Sequence, residues 1–177
     1  MDTQILPFGG IVPKIAATAF VAPGVTLIGD IHIDDDASIW FGCVVRGDVN
    51  RVRIGARTNV QDGTVIHVSR ERHPTLIGAD VTIGHRCMIH GCTLEDGAFV
   101  GMSATVLDGA VVEGGAMLAA GALLTPGKRI PSGQLWAGSP ARRLRDLTSH
   151  EREDAKRRID HYVALAHGYR DSLAPRR

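Results

Sequence analysis

Three histidines, His67, His85 and His90, carry the strongest suggestion of chemistry in this 177-residue sequence. A neutral imidazole is a ready ligand for zinc, iron or cobalt. Three of them around one ion leave a fourth position for water or substrate, the make-up of a catalytic centre; a structural site fills all four positions with protein ligands. A histidine taken alone is more often a surface or hydrogen-bonding residue, so the case depends on whether the fold gathers these three. His32, His150, His161 and His167 read as surface residues, and His73 as an outsider near the site.

The element that must gather them is a repeat of six. Aliphatic residues recur at Val21, Leu27, Ile33, Ile39 and Val45, resume at Ile54, Val60 and Ile66, and again at Ile77, Ile83 and Ile89. After a five-residue step they run through Leu94, Val100, Val106, Val112, Leu118, Leu124 and Ile130. Two places before most of them stands a small or modest residue, among them Ala37, Cys43, Thr58, Thr64, Cys87, Cys92, Ala98 and Ala104. Residues two apart in a strand share a face, so each short strand turns one large and one small side chain inward. Glycine often follows the aliphatic, as at Gly55, Gly78, Gly84 and Gly101, and reads as the place where the chain turns. Three six-residue sides per coil make a triangular prism of stacked parallel strands, each coil covering only its neighbours. The repeat resembles that of the hexapeptide-repeat proteins, whose coils wind left-handed. The implied fold is an all-β solenoid, a left-handed parallel β-helix of hexapeptide repeats with a C-terminal α-helix.

The rhythm breaks at 46–53 and 67–76, which read as loops leaving one functional face. It stops at Pro131, and Gly138-Ser139-Pro140 leads out of the prism. A helix is expected from Thr148 to about Ser172, capped by Thr148 or Ser149, with Glu151 and Glu153 in its first turn. Ile159, Tyr162, Val163 and Ala166 form its apolar face. The organisation is therefore a β-helix over 1–147 and a helix with tail over 148–177 packed upon it.

The register places the histidines. Val45, Ile66 and Ile89 take the second side of successive coils, so the residues that follow, Arg46, His67 and His90, form an outward column at the strand spacing of about 4.8 Å. His67 and His90 can share one ion. His85 lies two residues beyond Ile83, around a corner, and one subunit is not expected to bring all three together. A threefold trimer lets His85 of one chain meet His67 and His90 of the next.

Composition narrows the alternatives. A 44% hydrophobic content suits a globular protein, and 5% aromatics with 21 glycines suit narrow repetitive β structure. A formal charge of +1 gives no reason to expect a nucleic-acid or membrane partner. Residues 1–10 show no signal-peptide pattern, and no apolar run approaches the roughly 18 residues of a membrane span. Cys43, Cys87 and Cys92, an odd number at the small inward positions, read as buried small hydrophobes in a cytoplasmic protein.

The run Ser38-Ile39-Trp40-Phe41-Gly42-Cys43-Val44-Val45-Arg46-Gly47-Asp48 resembles a signature segment of the γ-class carbonic anhydrases. So do Asn59-Val60-Gln61-Asp62-Gly63-Thr64-Val65-Ile66-His67 and Ile83-Gly84-His85-Arg86-Cys87-Met88-Ile89-His90. The resemblance covers nearly the whole chain. It implies a homotrimer with three interfacial zinc sites, each built from two histidines of one chain and one of its neighbour, with iron or cobalt as alternative metals. Carried over by position, Arg46 and Asp48 resemble an interfacial ion pair, and Gln61 the residue that hydrogen-bonds metal-bound water or bicarbonate. Asp62 resembles its polar support, and Tyr162 a helix tyrosine reaching towards the site. The implied activity is reversible hydration of carbon dioxide to bicarbonate by a metal-bound hydroxide, the work of a zinc lyase on a small-molecule substrate. Two departures bear on rate. Val49 stands where the best-studied members carry glutamate, and the loop at 68–74 is short, with Glu71 as its only carboxylate. Glu71 and His73 are the candidates to export protons. The alternatives are a metal-dependent acyl-CoA thioesterase and a catalytically weak or inactive trimeric scaffold subunit. Acyl transfer ranks lower, because a single catalytic histidine does not explain three.

Overall fold

Each six-residue unit becomes one short strand and one corner. The inward aliphatics of the repeat are all buried except Val21, and so are the small residues two places before them. Val21 is half-buried because its strand, Phe20–Val21, ends the stack and no further strand among the described residues covers it. The computed structural model describes residues 2–173, so the tail beyond Leu173 that the sequence joins to the helix lies outside the described residues. Coil on coil, the strands build a left-handed parallel β-solenoid of about 7 turns with one C-terminal helix.

Its first side stacks Phe20–Val21, Ser38–Ile39, Asn59–Val60, Thr82–Ile83, Phe99–Val100 and Met117–Leu118. The second carries Val65–His67, Met88–His90, Thr105–Val106 and Leu123–Leu124; the third carries Thr75–Ile77, Thr93–Leu94, Val111–Val112 and Arg129–Ile130. Two long strands, Thr26–Ile33 and Val44–Ile54, pass from the second side to the third. The break at 46–53 is therefore not a loop. Arg46 and Gly47, and then Val52–Ile54, keep pairing with Thr26–Ile33, while the additional residues 48–51 bulge at the corner between them, so the period is lost while the strand continues. The second break does leave the prism, as a short excursion closed by the Ser69 N–H on the His73 carbonyl.

Two further expectations are corrected. The glycines that follow the aliphatics do not supply the turn conformation. The positive φ angles fall later, at Arg57, Asp80, Arg86 and Ser103. A Cβ on Gly84 would come within 2.6 Å of the Met102 nitrogen, so glycine there lets neighbouring coils close on each other. The repeat also does not stop at Pro131. Gln134–Ala137 stacks parallel on Met117–Leu118 with Leu135 buried, and Trp136 takes the register place that aliphatics hold elsewhere. The chain then returns antiparallel as Arg142–Asp146 after a cis Ser139-Pro140 bond. At the other end, Gln4–Leu6 and Lys14–Ile15 add to Thr26–Ile33 and cap the stack.

The helix spans Ser149–Leu173. Thr148 caps it: its hydroxyl accepts the Glu151 N–H, and the Glu151 carboxylate accepts the Thr148 N–H, a reciprocal box. Ile159 and Ala166 are buried, and Tyr162 and Leu165 pack on the core along the first side. Arg57 bridges Asp80 of the solenoid to Asp160 of the helix, and His167 meets Asp36, so polar latches fix where Tyr162 falls. Arg145, and after it the Thr148 N–H, hold the Glu151 carboxyl down at about 2. That contribution is complete above the ordinary glutamate pKa of about 4.3 and is lost as pH falls towards the folded value. Glu151→Gln should therefore flatten the acid limb of the stability profile below about pH 4.3. Thr148→Ala should cost about 1 kcal/mol, read as a lower denaturant midpoint at unchanged slope. An unchanged midpoint would show that the box contributes nothing.

Candidate metal centre

Pairing of Met88–His90 with Val65–His67 puts His90 directly opposite His67. Ile66 and Ile89 point inward, so the next residue of each strand points out. The His67 Nδ1 lies 3.1 Å from the His90 Nε2. Two nitrogens on one tetrahedral ion, with bonds near 2.0–2.1 Å, stand about 3.3 Å apart, so the pair has the spacing of two ligands of one metal. The outer nitrogens are both engaged by carboxylates: His67 Nε2 is 3.0 Å from Asp48 Oδ1, and His90 Nδ1 is 2.5 Å from Asp108 Oδ1. Metal-ligating histidines characteristically have such partners. Asp48 is also ion-paired with Arg46. Burial opposes ionisation of Asp48, yet Arg46 and His67 hold its carboxyl below the ordinary range, so it is a carboxylate at neutral pH. Beneath the pair, buried Thr75 donates to the His67 carbonyl at 2.6 Å and accepts the Gly91 N–H at 3.0 Å. It ties the two strand ends together.

His85 occupies the corner that leads into Met88–His90. The turn at His85–Arg86 and the strand Met88–His90 that follows it set His85 and His90 at opposite edges of the same side. Its Nδ1 is 2.8 Å from Asp62 Oδ2. Gln61, on the same edge, is buried and donates through Nε2 to Asn59 Oδ1 at 3.0 Å, and Asn59 donates to the Thr82 hydroxyl. Tyr162 comes down from the helix edge-on to Trp40, with ring centroids 5.6 Å apart. Burial, offset by Arg158 and reinforced by Asp62, raises its phenol pKa, so Tyr162 is a neutral donor.

The sequence candidates therefore divide into two half-sites. Arg46, Asp48, His67 and His90 stand on one edge of the second side, and Gln61, Asp62, His85 and Tyr162 on the other. No group of three or more His, Cys, Asp or Glu residues is disposed to hold a metal ion within one chain among the described residues. Between the edges runs a partly exposed column of Val44, Val65, Met88, Thr105 and Leu123, apolar except for Thr105, with Met102 exposed one coil beyond His85. Sequence reasoning missed Asp108 and Thr75. The signal for Asp108 was its place one coil on from Gly91, beside the column that the histidines occupy. Val49 packs on the core, Glu71 is exposed, and the His73 ring lies over Gly109. The three cysteines are buried, and burial pushes the thiols up to about 11 for Cys43 and Cys87 and about 12 for Cys92, so they are inert. A cavity of about 540 Å³ between the helix and the corner at Asp80 and Asp96 has no histidine in its lining.

No protein-family model matches the chain. It is 50% identical to gamma carbonic anhydrase 1, a mitochondrial protein of Arabidopsis thaliana, over 89% of this chain and 59% of that one. It thus spans little more than half of that plant protein's length. It is 41% identical to the carbonic anhydrase of Geobacillus kaustophilus, over 94% of this chain and 91% of that one. Among solved structures, a hexapeptide transferase family protein of Anaplasma phagocytophilum superposes with a TM-score of 0.90 at 48% identity, covering 94% and 98% of the two chains.

Proposed function

The chain belongs to the γ-class carbonic anhydrase family, and from that premise we propose that it is a homotrimeric metalloenzyme that interconverts carbon dioxide and bicarbonate. The observation that carries the proposal is the division of the site. A pair of imidazoles at ligand spacing stands on one edge of the second side, and a third imidazole on the other. Each half is incomplete alone, and a largely apolar strip for a second copy lies between them. Around a threefold axis each edge meets the opposite edge of the next chain. The Anaplasma relative is named for a hexapeptide transferase family; group transfer suits the repeat but leaves three gathered histidines unexplained.

A divalent ion, zinc first with iron or cobalt as alternatives, would be held by the three imidazoles His67, His90 and His85 and would supply Lewis acidity for activating water. The protein's own groups do the rest. Asp48 and Asp108 orient His67 and His90, and Arg46 holds the ionised Asp48 in place. Asp62 orients His85. Gln61, immobilised in the polar ladder under the helix, and the protonated Tyr162 hydroxyl orient the substrate oxygens. Val65 and Met88 give a small apolar molecule a wall. No described helix is long and apolar enough to cross a membrane. Three unpaired cysteines suit a reducing compartment such as the cytoplasm.

The test is stopped-flow hydration by anaerobically purified protein of known metal content. Fast hydration supports the proposal. Thioester cleavage without hydration would select the thioesterase alternative, and neither activity the scaffold. Proton export should limit the rate, since Val49 offers no carboxylate and Glu71 stands away on an exposed turn. Hydration is then expected to rise with added imidazole buffer. Val49→Glu should raise turnover and weaken that dependence. Rapid hydration independent of buffer would show a proton path among other residues.

A further inference from the structure

Asp108 belongs to no signature segment, yet its Oδ1 lies 2.5 Å from His90 Nδ1, as short as the Arg46–Asp48 ion pair of the same half-site. We propose that Asp108 is the positioning residue of His90, fixing the ring proton on Nδ1 so that the Nε2 lone pair faces the metal position; this rests on His90 being a ligand.

Three features of the fold support the assignment. Asp108 is placed rigidly. Its carbonyl accepts the Gly127 N–H at 2.9 Å, and the next N–H, of Gly109, donates to the Gly91 carbonyl at 2.7 Å. The segment is thus bonded to the coils on both sides. Its carboxylate also occupies space left for it. Gly91 has a φ of +53°, and a Cβ there would come 2.5 Å from Asp108 Oδ1. Finally, Asp108 has no other ion-pair partner among the described residues, whereas Asp48 is shared between His67 and Arg46. The carboxylate at Asp108 is dedicated to one imidazole. A neutral ring that donates Nδ1–H to it presents a bare Nε2, the atom that lies 3.1 Å from His67. Without an acceptor at 108 the proton is free to sit on either nitrogen and the ring to rotate.

Asp108→Ala and Asp108→Asn separate orientation from charge, because asparagine keeps an acceptor oxygen. Cobalt(II), titrated against a chromophoric chelator, should bind Asp108→Ala about 10–100-fold more weakly than wild type, and Asp108→Asn within about tenfold. Circular dichroism and thermal midpoints of the metal-free proteins verify folding. The second readout needs no metal: long-range 1H–15N spectra of histidine-labelled, metal-free protein, recorded over a pH series that extends to the neutral ring. Wild type and Asp108→Asn should show His90 protonated on Nδ1, and Asp108→Ala a mixture of tautomers. A His90 tautomer unchanged in Asp108→Ala overturns the assignment, as does cobalt affinity within about twofold of wild type in that variant. If wild type binds no cobalt, the metal reading fails by itself, and the tautomer result alone decides the role of Asp108.

Discussion

Replacing His67 or His90 by alanine is expected to leave purified protein with almost none of the one divalent ion per chain that wild type should hold. Two ligands cannot substitute for three at such a centre, and the surviving imidazole of the pair has no neighbour at ligand spacing. His85→Ala should lose its ion as completely, although its side chain stands on the far edge. Metal content by plasma emission gives the stoichiometry. A second readout is thermal. An ion that binds only the folded protein raises the melting temperature with its concentration, so added zinc should stabilise wild type and leave the three variants unmoved. Full occupancy in either His67→Ala or His90→Ala would remove those residues from the site.

Much of this centre is legible in the sequence because the fold turns spacing into distance with few free parameters. Once Ile66 and Ile89 share an inward column, His67 and His90 must be neighbours. The same periodicity puts His85 on another corner, as the structure does. What escapes is whatever the period does not encode. The stretch 46–53 reads as a loop because its aliphatics lose register, but strand pairing with Thr26–Ile33 needs only an extended backbone. Trp136 escapes because an aromatic fills an aliphatic place at the last coil. The glycines at 84 and 101 suggest turns because glycine permits positive φ, whereas they serve the close stacking of coils. The capping strand Gln4–Leu6 leaves Ile5 and Leu6 exposed and follows no period of burial. Tyr162 depends on long-range latches, such as Arg57 with Asp160, that no local pattern announces. Asp108 emerges only when the histidine's second nitrogen is considered, and a ligand search by spacing does not ask that question.

The division of the site leads to the largest recovery that can be tested. His85→Ala chains keep the pair His67 and His90, and His67→Ala chains keep His85, so neither variant alone has a complete site. In a closed ring of three, each interface joins the pair of one chain to the single histidine of the next. After subunit exchange of equal amounts, an interface works when its pair comes from a His85→Ala chain and its single histidine from a His67→Ala chain. Random assortment makes that about a quarter of all interfaces. Metal content and any hydration activity should therefore climb from near zero to roughly a quarter of wild type. The informative control mixes His67→Ala with His90→Ala. Those residues face each other on paired strands of one chain, so both lesions fall in the same half-site and no mixture contains an intact pair. That combination should recover nothing. Mass-tagged chains establish that exchange has occurred in both experiments. Recovery in the control, or its absence in the first mixture after verified exchange, would show that the ligands are not shared between edges in this way.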